Sequence, residues 1–192
     1  MSSDCPSPSY SLQELISLNV FRKEYGTFGF DTFATDVTAW AENQVMAGSQ
    51  SETLLILASL NLEHFPDRDE VELYLARYQQ ENGMANPDKI ISTLIWLRIR
   101  LLQISDAVNV IEVEYRLAFF TQWCLDFSPR AFGKITGALS SLYWELYDEA
   151  LPVFQSRASE MSEEELFCYV RERINPWLRI LRNDDWIWVL VR

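Results

Sequence analysis

Histidine is the residue whose scarcity most limits the chemistry open to this chain. His64 is the only histidine among 192 residues, and HExxH zinc sites and Glu-x-x-His di-iron sites each need at least two. It lies where a helix is predicted to end, and there a histidine usually meets the last carbonyl groups of the helix. The GxSxG, GxGxxG and P-loop motifs are also absent, so no motif supports a nucleophilic serine or a phosphate-binding loop.

The carboxylates offer no better arrangement for catalysis or for metal binding. Glu112 and Glu114 are two residues apart, so on a helix they point to different sides. Asp67 and Asp69 have the spacing that opens a calcium loop, but the glycine that such a loop needs is missing. The sequence therefore predicts no enzyme, no metal and no cofactor. Acid–base catalysis by buried carboxylates is kept as an alternative.

Negative charge is concentrated in two stretches of the chain. The net charge is −12; residues 31–88 hold eleven acids against two bases, and residues 145–165 hold seven acids against one base. Such a surface repels nucleic acid and anionic membranes. A basic protein is the partner that it would attract, and solubility alone is the alternative explanation.

The sequence also predicts the compartment of the protein. Its three cysteines are far apart and form no CxxC pair, which is typical of a reducing cytosol. Residues 1–10 have no basic residue and no apolar run, unlike a signal peptide. The most apolar stretch, 90–104, contains two arginines and is too short to span a bilayer. We therefore expect a cytoplasmic protein with no membrane partner.

Helix start and stop signals recur along the chain. Asp67 followed by Glu70 has the spacing of a capping box, and so has Ser162 followed by Glu165. The sequence predicts an all-α fold, a compact bundle of about eight to nine antiparallel-packed helices in a single domain over 1–192, with 1–9 as a flexible N-terminal arm. Helices are expected near residues 10–20, 31–47, 51–62, 68–82, 87–104, 107–127, 129–150, 163–174 and 176–183.

Two segments leave the choice between helix and strand open. Residues 108–115 are rich in β-branched side chains and alternate in part between apolar and polar. Residues 186–191, with the sequence WIWVLV, follow an Asn-Asp-Asp run that is typical of a turn. A short C-terminal strand is therefore an alternative to a further helix.

One block of the chain is similar to a known class of proteins. Residues 51–87 contain a helix ending in ILASL, an acidic break, the segment EVELYL, and a helix that closes on Asn-Gly before a proline. This pattern resembles that of small acidic helical immunity proteins of bacteria, including those of contact-dependent growth inhibition systems. The resemblance covers about a fifth of the chain. It implies a cytosolic protein that binds one secreted antibacterial toxin domain, commonly a basic nuclease, and occludes its active site.

The acids at the break and those at the end of a later predicted helix are the candidate contacts to such a toxin. Because Glu70 is expected to be used partly in capping its own helix, Asp69 and Glu72 are favoured among them. The predicted toxin-binding residues are Glu63, Asp67, Asp69, Glu70, Glu72, Glu145, Asp148 and Glu149.

A second resemblance implies a different kind of partner. Part of the chain is similar to the all-helical chaperones that mature molybdoenzymes, whose Gly…Pro-Asp-His segment would correspond to residues 83–89. Lys89 stands here in place of the histidine, and no LF-x-GP segment precedes it. This resemblance implies a dedicated cytosolic chaperone or adaptor that binds an extended signal segment in a groove.

Overall fold

Helices make up the fold throughout the described part of the chain. A computed structural model describes residues 10–26, 32–62, 66–122, 127–148 and 157–191, and these ranges contain no strand. The predicted all-α fold is therefore confirmed. The helices are α1 (Leu12–Tyr25), α2 (Phe33–Met46), α3 (Glu52–Leu60), α4 (Arg68–Glu81), α5 (Lys89–Ser105), α6 (Val110–Gln122), α7 (Arg130–Tyr147), a 3-10 turn (Arg157–Glu160), α8 (Glu163–Leu181) and α9 (Asp184–Val191).

Side-chain caps begin several of these helices where the sequence predicts them. The Ser162 hydroxyl accepts a hydrogen bond from the Glu165 N–H at 3.3 Å, and the Glu165 carboxylate accepts one from the Ser162 N–H at 2.8 Å. At α4, the Asp67 carboxylate accepts a hydrogen bond from the Glu70 N–H at 2.9 Å. These bonds satisfy amide groups that the first turn of a helix leaves without partners, so both helix starts follow from local sequence.

Residues 186–191, for which a strand is the alternative expectation, belong to helix α9. The Asn183 side chain accepts hydrogen bonds from the N–H groups of Asp185 at 2.9 Å and Trp186 at 3.4 Å, and so caps the start of this helix. Ile187 is buried, whereas Trp186 is more than half exposed. The apolar run therefore reflects one buried face and one exposed apolar face of a short helix.

Residues 108–115 are also mostly helical, because α6 begins at Val110. The Asn109 side chain accepts a hydrogen bond from the Glu112 N–H at 2.9 Å. The Glu112 carboxylate accepts one from the Val108 N–H at 2.8 Å. These two hydrogen bonds stabilise the start of α6 and outweigh the weak strand preference of the β-branched residues.

The prediction of separate helices over 163–174 and 176–183 is wrong, since α8 continues through Pro176. Proline has no N–H to bond to the carbonyl of Glu172 one turn earlier. Both residues lie on the exposed side of α8, where water can bond to that carbonyl. The buried side of the helix carries Leu166, Val170, Ile174, Leu178 and Leu181 across the proline, so apolar packing holds the helix together.

Contacts divide the chain into two compact units, the N-terminal unit (Met1–Ser92) and the C-terminal unit (Thr93–Arg192). The prediction of one domain over 1–192 stays a prediction, and residues 1–9 lie outside the described ranges. In the N-terminal unit α2 packs against α1, α3 and α4, and α3 packs against α4. The buried side chains at this core are Leu15, Phe33, Val37, Ala41, Leu54, Leu57, Leu60, Val71 and Leu75.

The C-terminal unit has an aromatic core around Trp96 of α5. The Trp96 ring centroid lies 6.0 Å from those of Phe119 and Phe132 and 6.5 Å from that of Phe120. These rings join α5 to α6 and α7, and α6 also packs along α7. Among the helices of the described ranges, none combines the length and the apolar character needed to cross a membrane.

Tyr147, the last residue of α7, has a buried hydroxyl group with no hydrogen-bond partner in the described part of the chain. Burial, together with the charge of Glu114 and the nearby Tyr143, raises the pKa of Tyr147 to about 12. A buried hydroxyl without a partner costs about 1–3 kcal/mol. Tyr147→Phe is therefore expected to raise the free energy of unfolding by about 1 kcal/mol, measured by urea denaturation.

The matched control is Tyr115→Phe, because the Tyr115 side chain is 66% exposed and its hydroxyl can bond to water. This variant should unfold at the same urea concentration as the parent protein. A loss of stability in Tyr147→Phe would show instead that its hydroxyl has a stabilising partner.

Candidate functional site

The predicted contact residues lie at two places in the described structure. Asp67, Asp69, Glu70 and Glu72 lie at the start of α4 in the N-terminal unit. Glu145 and Asp148 lie at the end of α7 in the C-terminal unit. Glu63 and Glu149 lie outside the described residues.

Glu72 is bound by three cations of its own chain. Its carboxylate accepts a hydrogen bond from Arg22 of α1, lies 2.7 Å from the Lys23 Nζ, and lies 3.3 Å from the Arg68 Nε. The Arg22 side chain is only 6% exposed and that of Glu72 19% exposed. Arg22 also donates to the Asn19 side chain at 2.7 Å, and its guanidinium lies 4.5 Å from the centre of the Phe33 ring.

The pKa of Glu72 records the balance of these interactions. Burial by itself would raise this pKa, but the hydrogen bond from Lys23 and the charges of Arg22 and Lys23 hold it below the ordinary value of 4.5. Glu72 is therefore ionised at neutral pH and neutralised by its neighbours. It joins α1 to α4, so its geometry favours a structural role over contact with a partner.

Asp69 and Glu70 differ from Glu72 because their charges are not neutralised within the described chain. Both residues are exposed, and neither carboxylate makes a hydrogen bond or an ion pair to any described residue. Their negative charges in the first turn of α4 interact favourably with the helix dipole. Stabilisation of the helix is therefore one reason for acids at these positions.

An exposed leucine lies beside these two acids. Leu73 is 65% exposed, and it follows Asp69 by four residues and Glu70 by three, so all three side chains share one side of the helix. We call Asp69, Glu70 and Leu73 the α4 face. It combines an apolar anchor with two unmatched negative charges, and that combination suits contact with a protein carrying basic residues.

Asp67 has a local role next to this face. Its carboxylate caps α4 by accepting the Glu70 N–H. Only the backbone of Glu70 takes part in this bond, so the cap leaves the Glu70 carboxylate on the surface. Among the acids at the start of α4, the geometry thus favours Asp69 and Glu70 as contacts to a partner.

Glu145 in the C-terminal unit resembles Glu72 in being matched by its own chain. Its carboxylate accepts hydrogen bonds from Arg157 at 2.5 Å, from the Tyr169 hydroxyl, and from Arg173 at 3.5 Å. The two guanidinium groups lie 4.5 and 4.8 Å from the centre of the Tyr169 ring. Through these bonds Glu145 joins the 3-10 turn and α8 to α7.

Asp148 is exposed just after the end of α7.

The N-terminal unit also contains a groove that the sequence does not predict. It encloses about 680 Å³ and is lined mainly by Tyr10, Asp36, Trp40, Asn43, Gln44 and Tyr78. These residues come from the segment just before α1, from α2 and from α4. The one signal in the sequence is the i, i+4, i+7 spacing of Asp36, Trp40 and Asn43, which puts them on one side of α2.

Within the described ranges, no group of three or more His, Cys, Asp or Glu side chains is placed to hold a metal ion. The chain matches no family model, no curated protein and no solved structure at a significant level. The arrangement of the α4 face and of the groove is thus the basis for assigning a function.

Proposed function

We propose that this protein is an immunity protein that binds a basic toxin domain, such as a nuclease, through the α4 face and occludes its active site. The observation that carries the proposal is the pair of unmatched, exposed carboxylates of Asp69 and Glu70 around the exposed Leu73. An apolar side chain that becomes buried in an interface excludes water, which strengthens the charge pairs around it. Such a protein acts in the cytoplasm, with neither nucleic acid nor membrane as its partner.

The charge of the N-terminal unit supports a basic partner. This unit contains fourteen acids and five bases, a net charge of −9, whereas the C-terminal unit contains fourteen acids and eleven bases, a net charge of −3. The α4 face therefore lies in the more negative unit. Its field should attract a basic protein from a distance and speed the encounter, and added salt should screen that attraction.

Purification of the tagged protein from its own host, at native expression, tests the proposal. We expect it to co-purify with one protein that contains a basic domain, identified by mass spectrometry. The isolated domain should then lose its activity on addition of one equivalent of the protein. Failure to recover any partner, or a partner whose activity is unchanged when bound, would contradict the proposal.

The groove in the N-terminal unit favours a second candidate function. Its volume of about 680 Å³ lies within the range of binding pockets in proteins, and its length along α2 suits an extended segment. A dedicated chaperone or adaptor, of the kind that matures molybdoenzymes, would use such a groove. Recovery of the precursor of a redox enzyme in the same purification would support this function over the first.

A further inference from the structure

The groove in the N-terminal unit has aromatic walls. Trp40 of α2 and Tyr78 of α4 meet edge to face, with ring centroids 5.7 Å apart and planes inclined by 69°. Trp40, Tyr78 and Tyr10 are each half-buried, so part of each side chain borders the groove while the rest is packed. Aromatic faces attract cations through their quadrupole, and tryptophan does so most strongly.

A carboxylate lies on the same side of α2 as Trp40. Asp36 precedes Trp40 by four residues, which puts the two side chains next to each other along the helix. Asp36 is half-buried and accepts a hydrogen bond from the Thr32 hydroxyl at 2.8 Å. Its position is therefore held at the first turn of α2, beside the indole ring.

The remaining lining selects the kind of occupant. The described residues that line it include no lysine, arginine or histidine, so they offer no opposite charge to an anion. Asn43 and Gln44 supply amide donors and acceptors further along α2, and such groups can bond to the peptide groups of an extended chain. A carboxylate next to an indole is suited to a guanidinium, which can stack on the ring and donate to the carboxylate at once.

We propose that this groove binds an extended peptide segment and holds one arginine side chain of it between Trp40 and Asp36. Asn43 and Gln44, further along α2, bind the backbone on one side of that arginine. This site is separate from the α4 face, and it requires neither that the partner is a toxin nor that the α4 face is an interface. Its failure and the failure of the proposed function are therefore distinguishable.

The test is a titration of the full chain with the peptide acetyl-Gly-Gly-Arg-Gly-Gly-amide. NMR signals of the tryptophan indole groups and of the side-chain amide groups report the binding. We expect saturable shifts of the Trp40, Asn43 and Gln44 signals. The same peptide with citrulline, which keeps the shape and loses the charge, should bind about tenfold more weakly. Equal binding of the two peptides, or no saturable binding of the arginine peptide, would overturn the proposal.

Variants of the chain separate the groove from other acidic surfaces. Asp36→Asn should weaken the arginine peptide by about tenfold. Asn43→Lys adds a cation at an exposed lining position and should abolish binding even if Asp36→Asn disturbs the start of α2. Asp185→Asn, an exposed acid in α9 of the C-terminal unit, is the matched control and should bind like the parent protein. Unchanged binding by both groove variants would show that the peptide binds elsewhere.

Discussion

Replacing Glu72 by alanine is expected to lower the free energy of unfolding by about 3 kcal/mol. The variant removes a carboxylate that accepts a hydrogen bond from the Arg22 guanidinium, and the Arg22 side chain is only 6% exposed. Removing one partner from a buried ion pair costs about 3–5 kcal/mol, because the remaining charge stays in a medium of low dielectric constant. The lower end of this range applies because the Glu72 side chain is 19% exposed. Urea denaturation followed by circular dichroism measures the loss.

The matched control is Glu24→Ala, which also removes a glutamate paired with a cation of another helix. Glu24 lies 2.8 Å from the Lys89 Nζ, but both side chains are about half exposed. Pairs of this kind contribute about 1 kcal/mol or less, so this variant should unfold close to the parent protein. Similar losses in the two variants would show that burial of Arg22 does not set the cost.

The loss in Glu72→Ala should also depend on pH. The pKa of Glu72 is lowered in the folded state, so its stabilising contribution is fully present above the unfolded value of 4.5. That contribution is lost as the pH falls through the lower folded pKa. The parent and the variant should therefore differ most at neutral pH and converge in strong acid. A difference that stayed constant at acid pH would mean that packing, rather than charge, causes it.

Reversing both charges of the α4 face, Asp69→Lys with Glu70→Lys, is expected to weaken binding of a basic partner by about 3 kcal/mol, roughly a hundredfold in Kd. Each lysine would then repel a base of the partner across an interface from which binding excludes water. Neither acid has a described partner in its own chain, so the fold should persist. Calorimetric titration and the helical circular dichroism signal measure the two quantities.

The matched control reverses two acids in the first turn of another helix, Glu163→Lys with Glu164→Lys of α8. Both are exposed, so this variant has the same change in net charge and a similar effect on a helix dipole. It should weaken binding only slightly, through the long-range field. Equal weakening in both variants would show that net charge, and not the α4 face, governs the affinity.

The sequence favours Asp69 together with Glu72 as contacts, and the structure shows why that pair is poorly suited to the test. A lysine at position 72 would meet Arg22, Lys23 and Arg68. The N-terminal unit would then lose stability for reasons unrelated to a partner. Asp69 with Glu70 is the pair that separates recognition from folding.

Much of the fold is predictable because helix starts depend on neighbouring residues. The capping pairs at residues 67–70 and 162–165 lie within one turn, so their geometry follows from the local sequence. Pro176 shows the limit of such reasoning. Whether a proline ends a helix depends on its surroundings, and here the freed carbonyl is on the exposed side while the apolar side packs without a break.

The site is less predictable because its parts meet only in three dimensions. The pairing of Glu72 with Arg68 follows from their spacing of four residues, whereas Arg22 lies 50 residues away. The groove likewise joins Tyr10, Trp40 and Tyr78 from three distant segments. The acids of the α4 face were predicted as contacts, but their difference from Glu72 depends on which of them the fold itself neutralises.

The arrangement on α4 has a consequence for how such a protein can diverge. Replacing the side chains at positions 69 and 70 removes no hydrogen bond or ion pair of the described structure, whereas an acid at position 72 is needed to accept from the buried Arg22. A descendant that meets an altered partner can therefore change its recognition within two residues of a position that it has to keep. One turn of helix can thus contain both recognition residues that change rapidly and a structural residue that keeps the fold.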